Sequence, residues 1–527
     1  MAADALPFPD MAPTAHELLR SMASAHADTE AFVDPGAGER LTYGEWDSQA
    51  DAVAAALRAR GVRKGDVVCL ILPSCIDYAV VYQAMMRVGA VTSGINPRLG
   101  PREKAFILGL SEPKLTIYDP ELTPDPFPLE TSDGLNQDAQ EVGQATGRSA
   151  TRSELSAWRQ ADPLPVCEWS AVAETDLVAI VWTSGTTGLP KGATFDHACL
   201  RAMAGAAGDL TAKGDRKLSP LPFAHVGYMT RPYDEIANLV TTVICATPWK
   251  PDETLALIER ERVTLSQGVP TQYDMLLRQP TFDTTDFSSL RLIGIGAARI
   301  PPDLVREATK RMGAPVIVRF ASTETSVCSG TSIDDDVETI ANTVGRPGAG
   351  VEIELRSDEG SPAATGEVGT VWVRSRAQMR GYWRDPQRTA ETITPDGWLV
   401  TGDLGRFDDR GVLSLVGRRT EMYIRGGYNV YPAEVENLLG SHPRVARIAV
   451  VGVPAPRIGE IGVAFVVPIG PTSGLFEDLR GACLAELADY KAPDRLVVVD
   501  DLPLTSMLKV DKVALLARWA SERDSNG

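Results

Sequence analysis

Hydrophobic positions in the first hundred residues change period in a regular way. Thr42-Tyr43-Gly44-Glu45 has the spacing of a capping box, and the amphipathic pattern after it, through about Arg60, predicts a helix. Val67-Val68-Cys69-Leu70-Ile71-Leu72 is an unbroken apolar run of strand length, and a second helical stretch follows from Ile76 to Val88. Buried strands alternating with helices predict a parallel sheet covered by helices, an α/β fold. Residues 119–172 break the alternation. They are poor in apolar residues and rich in Pro, Asp, Gln, Ser and Thr, which reads as mostly surface loop with a weak helix near Arg152 to Trp158. The apolar run Leu177 to Trp182 then opens a second strand–helix series. Near the C-terminus, strands around Val445 to Val453 and Val463 to Pro468, followed by a helix around Phe476 to Ala488, predict a small α+β unit.

Length and charge sharpen this picture. A chain of 527 residues exceeds one ordinary domain, so two or more are expected. The net charge of −18 argues against nucleic acid or an anionic membrane surface as partner. The charge is uneven: residues 418–527 carry 13 Lys+Arg against 14 Asp+Glu, so this part approaches a polyanion more easily than the rest. Seven cysteines, an odd number without a Cys-x-x-Cys pair, suggest reduced, buried thiols and no zinc site. Met1 to Pro13 has two aspartates and no Lys or Arg, unlike a secretory leader, and no apolar run reaches membrane-spanning length. The expectation is a cytoplasmic protein without membrane insertion.

Candidate chemistry centres on Thr183-Ser184-Gly185-Thr186-Thr187-Gly188-Leu189-Pro190-Lys191-Gly192. With an apolar strand before it and Asp196 able to cap a helix starting at His197, the stretch reads as a strand-to-helix loop. Its hydroxyls and glycines let O–H and N–H groups converge on an anion, and Lys191 adds a point charge, which makes a phosphate cradle. It is not a Walker loop, because Pro190 occupies the place of the last glycine.

This stretch resembles the signature loop of the adenylate-forming superfamily of acyl-CoA synthetases, peptide adenylation domains and luciferases, and further segments repeat the family pattern in order. Pro220 to Gly227 is similar to the aromatic-histidine segment between acyl pocket and thiol tunnel, which gives His225 a substrate-site role. No aspartate stands beside Phe223, which argues against an α-amino acid substrate. Residues 228–240 depart from the apolar helix of relatives. They read as a polar, solvated helix start, with Tyr228 or Arg231 contacting a polar substrate as the sharper alternative. Val269-Pro270-Thr271 looks like the pocket-wall strand, and Gly294 to Ala298, with Gly296, Ala297 and Ala298 at its end, like the adenine-contacting turn.

Phe320-Ala321-Ser322-Thr323-Glu324 stands where the family has Tyr-Gly-x-Thr-Glu. The resemblance implies that Phe320 covers the adenine or pocket, Thr323 bonds the α-phosphate and Glu324 supplies an oxygen to Mg²⁺. Ala321 in place of glycine narrows the acyl passage and favours a short or flat acid. Asp403, in Gly397-Trp398-Leu399-Val400-Thr401-Gly402-Asp403, matches the ribose-binding aspartate, and Arg418 the arginine that reaches ribose or phosphate. Thr420 occupies the family's pivot position. Gly426 and Gly427 match the paired glycines passed by the pantetheine arm of coenzyme A. Lys509 aligns with the lysine that bridges carboxylate and α-phosphate, with Leu508 in place of the preceding glycine and Lys512 close by.

The implied fold is a large multi-subdomain N-terminal domain over 1–417 with parallel-type sheets covered by helices, plus a small mobile α+β C-terminal lid over 418–527, with a hinge near 418–421. The implied activity is ATP- and Mg²⁺-dependent formation of an acyl adenylate from a small-molecule carboxylic acid, short or aromatic, then transfer to coenzyme A. Transfer to a carrier protein or an amine, activation of an oxyanion such as nitrite, and a non-catalytic nucleotide-binding protein stay open, as do a monomer and a homodimer.

Overall fold

The structure, a computed structural model, describes residues 10–124, 149–161, 171–183, 189–357, 359–505 and 508–524. Its strands form four sheets. The first has seven strands in the order Gly381–Tyr382, Lys191–Asp196, Leu177–Thr183, Val91–Gly94, Val67–Ile71, Leu115–Tyr118 and Ser149–Thr151. From Leu177–Thr183 to Ser149–Thr151 all pairings are parallel. Val67–Ile71 is buried at every position, as a strand covered on both faces must be. The predicted helices stand at Tyr43–Ala59, with both halves of the Thr42/Glu45 capping box formed, and at Ile76–Val88, buried along its whole length.

The second sheet has nine strands, parallel from Val316–Ser322 through Leu292–Gly296, Leu265–Gly268, Arg216–Ser219 and Thr241–Ile244 to Glu30–Asp34. A four-stranded antiparallel sheet, Val351–Arg356, Gly369–Ser375, Leu399–Phe407 and Leu413–Arg418, follows in the chain. The fourth sheet belongs to a small C-terminal domain in which Val445–Ala455 and Gly459–Pro468 pair antiparallel and Arg495–Val498 adds in parallel. No described helix is long and apolar enough to cross a membrane. The six described cysteines are buried and form no disulfide, and Cys167 lies outside the described residues.

Four expectations change. The Gly-rich loop joins two antiparallel strands, Leu177–Thr183 and Lys191–Asp196, and does not run from strand to helix. Asp196 does cap the next helix, accepting from Cys199 N–H at 2.7 Å, but a six-residue strand intervenes, too short for periodicity to announce. Val269 is not in a strand: it caps the helix Pro270–Leu277, with proline at the first helical position where no N–H is missed. Residues 228–237 are buried, not solvated, because their charges find partners inside the fold. The described part of 119–172 contributes an edge strand that was not expected, beside the expected helix, Arg152–Arg159, whose Leu155, Trp158 and Arg159 are buried.

Candidate active site

The strand Val316–Ser322 turns back into Ser326–Gly330 through a tip that carries Thr323 and Glu324. Ser322 and Thr325 lock it: their hydroxyls lie 2.9 Å apart, Thr325 N–H donates to Ser322 Oγ at 3.1 Å, and Ser322 N–H donates to Thr325 Oγ1 at 3.2 Å. The tip leaves both side chains half-buried. Glu324 is held from a distant stretch, since its backbone oxygen accepts Met379 N–H at 2.8 Å and its Oε1 accepts the Tyr382 hydroxyl at 2.9 Å. Tyr382 is fixed in turn by pairing opposite Ala193 on the strand that Lys191 begins. The Lys191 ammonium sits 5.3 Å from the centre of the Tyr382 ring, within cation–π range. Burial and the Glu324 charge raise the Tyr382 pKa, so the phenol stays a donor. Tyr382 thus joins Lys191 to Glu324, and no motif in the sequence marked it. Thr183 closes its strand opposite Lys191. Ser184, Gly185, Thr186, Thr187 and Gly188 lie outside the described residues.

A second group faces this one. Asp403 and Arg418 are register partners on neighbouring antiparallel strands, which puts Arg418 Nε 3.0 Å from Asp403 Oδ1. Asp403 is 5% exposed, and burial raises its pKa while Arg418 opposes the rise. Lys509 comes from the small domain. Before it, Leu508 takes φ +58°, and Lys509 O accepts Thr505 N–H at 2.7 Å. That left-handed backbone is why glycine suits the position, and Leu508 adopts it nonetheless. Burial and the nearby Arg418 charge lower the Lys509 pKa, while Glu324 pulls it the other way. His225 is pushed down to about 3, first by burial and then by the Lys509 charge. Its Nδ1 accepts Gly227 N–H at 3.1 Å, so the neutral ring carries its proton on Nε2. Lys509, Glu324, Arg418 and His225 therefore share one electrostatic neighbourhood. Lys512 is elsewhere, bonded to Glu421 at 2.6 Å and Glu436 at 3.1 Å.

The remaining residues divide. At the end of Leu292–Gly296, Ala297 has φ +64°, and a Cβ on Gly296 would lie 2.9 Å from Arg319 O, so this turn tolerates only small residues. Phe320 is buried and Ala321 half-buried at a bulge between them. Val269 is buried. Tyr228 stacks on Phe223, with ring centres 3.7 Å apart, and Tyr78 meets both rings edge-on, a buried aromatic cluster whose Phe223 and Tyr228 stand on either side of His225 in the chain. Arg231 is not free to meet a substrate: 3% exposed, it donates to Asp234 and, at 2.6 Å, to Thr211. Gly426 and Gly427, with φ +59° and +88°, form the two-residue turn between Tyr423–Arg425 and Tyr428–Val430, a geometry that by itself demands glycine.

Residues 19–383 match the family described as AMP-binding enzyme, and residues 434–509 match the AMP-binding enzyme C-terminal domain. The chain belongs to the AMP-binding enzyme family. It is 33% identical over 499 residues to an indoleacetate–CoA ligase of Aromatoleum aromaticum, covering 92% of this chain and 96% of that one. It is 34% identical over 493 residues to a feruloyl-CoA synthase of Amycolatopsis sp, covering 92% and 94%. Among solved structures, an anthranilate CoA ligase in complex with anthranoyl-AMP superposes with a TM-score of 0.87 at 25% identity, covering 98% of this chain and 99% of that one.

Glu324 is the residue to which the sequence resemblance assigns Mg²⁺. No three His, Cys, Asp or Glu groups among the described residues converge in a way that would hold a metal unaided. Glu324 offers carboxylate oxygens with Oε1 already bonded to Tyr382. One carboxylate suits Mg²⁺, which keeps waters and takes phosphate oxygens for most of its shell, and does not make a resident all-protein cage.

Proposed function

We propose that this AMP-binding enzyme is an AMP-forming acid–CoA ligase acting on an aromatic acid, with Glu324 holding Mg²⁺ that arrives with ATP. The observation that carries the reading is that Tyr382 joins Lys191 to Glu324 while Arg418 pairs with Asp403, so four of the residues that would meet the nucleotide and its metal are held by geometry. The names of the indoleacetate and feruloyl relatives support an aromatic acid.

A carboxylate has no leaving group of its own, so the first step supplies one. The carboxylate oxygen attacks the α-phosphorus of ATP, the bond to the β-phosphate bridging oxygen breaks, and pyrophosphate leaves with the electron pair. Lys509 neutralises charge between the nucleophile and the α-phosphate, Lys191 and the Thr183–Gly188 loop hold the outer phosphates, and Asp403 with Arg418 orients the ribose. Bound Mg²⁺ spreads the polyphosphate charge. Thr323 bonds the α-phosphate, while Phe320 and the Gly296–Ala298 turn flank the adenine. In the second step the coenzyme A sulfur attacks the acyl carbon and the C–O bond to AMP breaks. This requires Lys509 to leave, by rotation of a lid spanning 418–527 against a 1–417 body about Thr420. Neutral His225, with its proton on Nε2, lines the carbonyl's side of the pocket together with Tyr228, Val269 and Ala321.

Lys509→Ala separates the two steps. Pyrophosphate exchange should fall by roughly 10²- to 10³-fold, the usual cost of one charge-stabilising donor. Thioester formation from synthetic acyl adenylate and coenzyme A should persist, and equal loss of both would overturn the assignment.

A further inference from the structure

Lys509 acts only while the small domain is docked, and Arg299 reaches from the body into that domain. Arg299 follows directly on the Gly296-Ala297-Ala298 turn. Its Nη1 donates to Glu436 Oε2 at 2.9 Å and its Nη2 donates to Asn437 Oδ1, both on the small-domain helix Pro432–Gly440. Glu436 is 5% exposed and would be costly to bury alone. Its other oxygen is held within its own domain, where it accepts Val450 N–H at 2.7 Å and the Lys512 ammonium at 3.1 Å. Lys512 also bonds Glu421, three residues past Arg418, and begins the helix three residues after Lys509.

We propose that Arg299 is a positioning residue for adenylation, a latch that holds the lid in the Lys509-in pose and releases it for thiol transfer. The inference rests on the two-step reading above. Three physical features fit a contact made to be broken. Arg299 is an exposed residue with its side chain 31% exposed, so its guanidinium rehydrates readily on release. Glu436 keeps Lys512 when Arg299 leaves, so opening strands no bare carboxylate in the lid. The latch also grows from the adenine turn, so a nucleotide that orders Gly296–Ala298 favours docking, which is the differential interaction a two-state element needs.

The test uses the full chain and three variants, Arg299→Gln, Arg299→Lys and Asn437→Ala. With ATP·Mg²⁺ and indoleacetate as the probe acid, Arg299→Gln should lower pyrophosphate exchange roughly tenfold, as loss of a charge-assisted pair does. Coenzyme A thioester formation from synthetic indoleacetyl adenylate should stay at the wild-type rate or rise. Arg299→Lys, which keeps the charge but not the fork, should recover part of the exchange, and Asn437→Ala should show a smaller loss of the same kind. Amide hydrogen exchange of residues 432–440 in the presence of ATP reads the latch without turnover, and should quicken in Arg299→Gln. Unchanged hydrogen exchange, or equal loss in both half-reactions, overturns the latch. Quickened exchange in an enzyme that fails to adenylate the probe keeps the latch and faults the substrate.

Discussion

Tyr382→Phe is the sharpest perturbation of the site, because it removes one atom from a residue with two jobs. The hydroxyl donates to Glu324 Oε1 at 2.9 Å, and the ring lies under Lys191 at 5.3 Å. Phenylalanine keeps the ring and its packing, so only the bond to the carboxylate is lost. Hydrogen bonds to charged groups contribute about 1.5–3 kcal/mol, and the half-buried setting of Glu324 points to the lower end. About 1.5 kcal/mol is roughly a tenfold effect. The expected result in ATP–pyrophosphate exchange, measured over a range of ATP·Mg²⁺, is a tenfold fall in kcat/KM with the melting temperature little changed. Tyr382→Leu should lose about threefold more, from the cation–π contact, and that extra loss should vanish in a Lys191→Gln background. Exchange at the wild-type rate in Tyr382→Phe would refute the idea that this phenol orients Glu324.

Two further outcomes follow from other parts of the molecule. His16 and His197 face each other with ring centres 5.8 Å apart, and burial pushes them down to about 3 and about 4, with mutual proximity adding to the shift at His16. Both are depressed below the unfolded value, so their stabilisation is complete above about pH 6.5 and is lost as pH falls toward the folded values. Between pH 7 and 5 the pair should lose about 4 kcal/mol, with buried His225 adding about 2 more, and melts of His197→Gln should show roughly two-thirds of the wild-type slope; an unchanged slope would contradict this. At Leu508 the left-handed backbone costs about 1 kcal/mol, so Leu508→Gly should raise the adenylation rate several-fold, and a slower variant would show that the leucine side chain contributes more than its backbone costs.

Much of the site was legible because its chemistry sits in local words. Thr323-Glu324, Asp403, Arg418 and Lys509 each stand in a short segment whose residue types mean little apart but follow one order along the chain. What escaped depended on distant pairing. Tyr382 reaches Glu324 only because a two-residue strand joins the sheet opposite Ala193, some 190 positions away in the chain. Arg231 looked available because Asp234 and Thr211 are not recognisable as its partners until the helix Pro232–Ala237 packs. The strand Lys191–Asp196 hid behind a helix cap that was itself read correctly. Arg299 carries no motif, and its meaning comes from Glu436, 137 residues later.

The most direct test of the whole account is mass spectrometry of the products formed from ATP·Mg²⁺ with indoleacetate, ferulate, short and medium-chain acids, and nitrite, each with and without coenzyme A. The account predicts an aromatic acyl-CoA, AMP and pyrophosphate, with thioester appearing only when coenzyme A is present. Pyrophosphate or adenylate without thioester for every acid would contradict it and move the acceptor to a carrier protein or an amine.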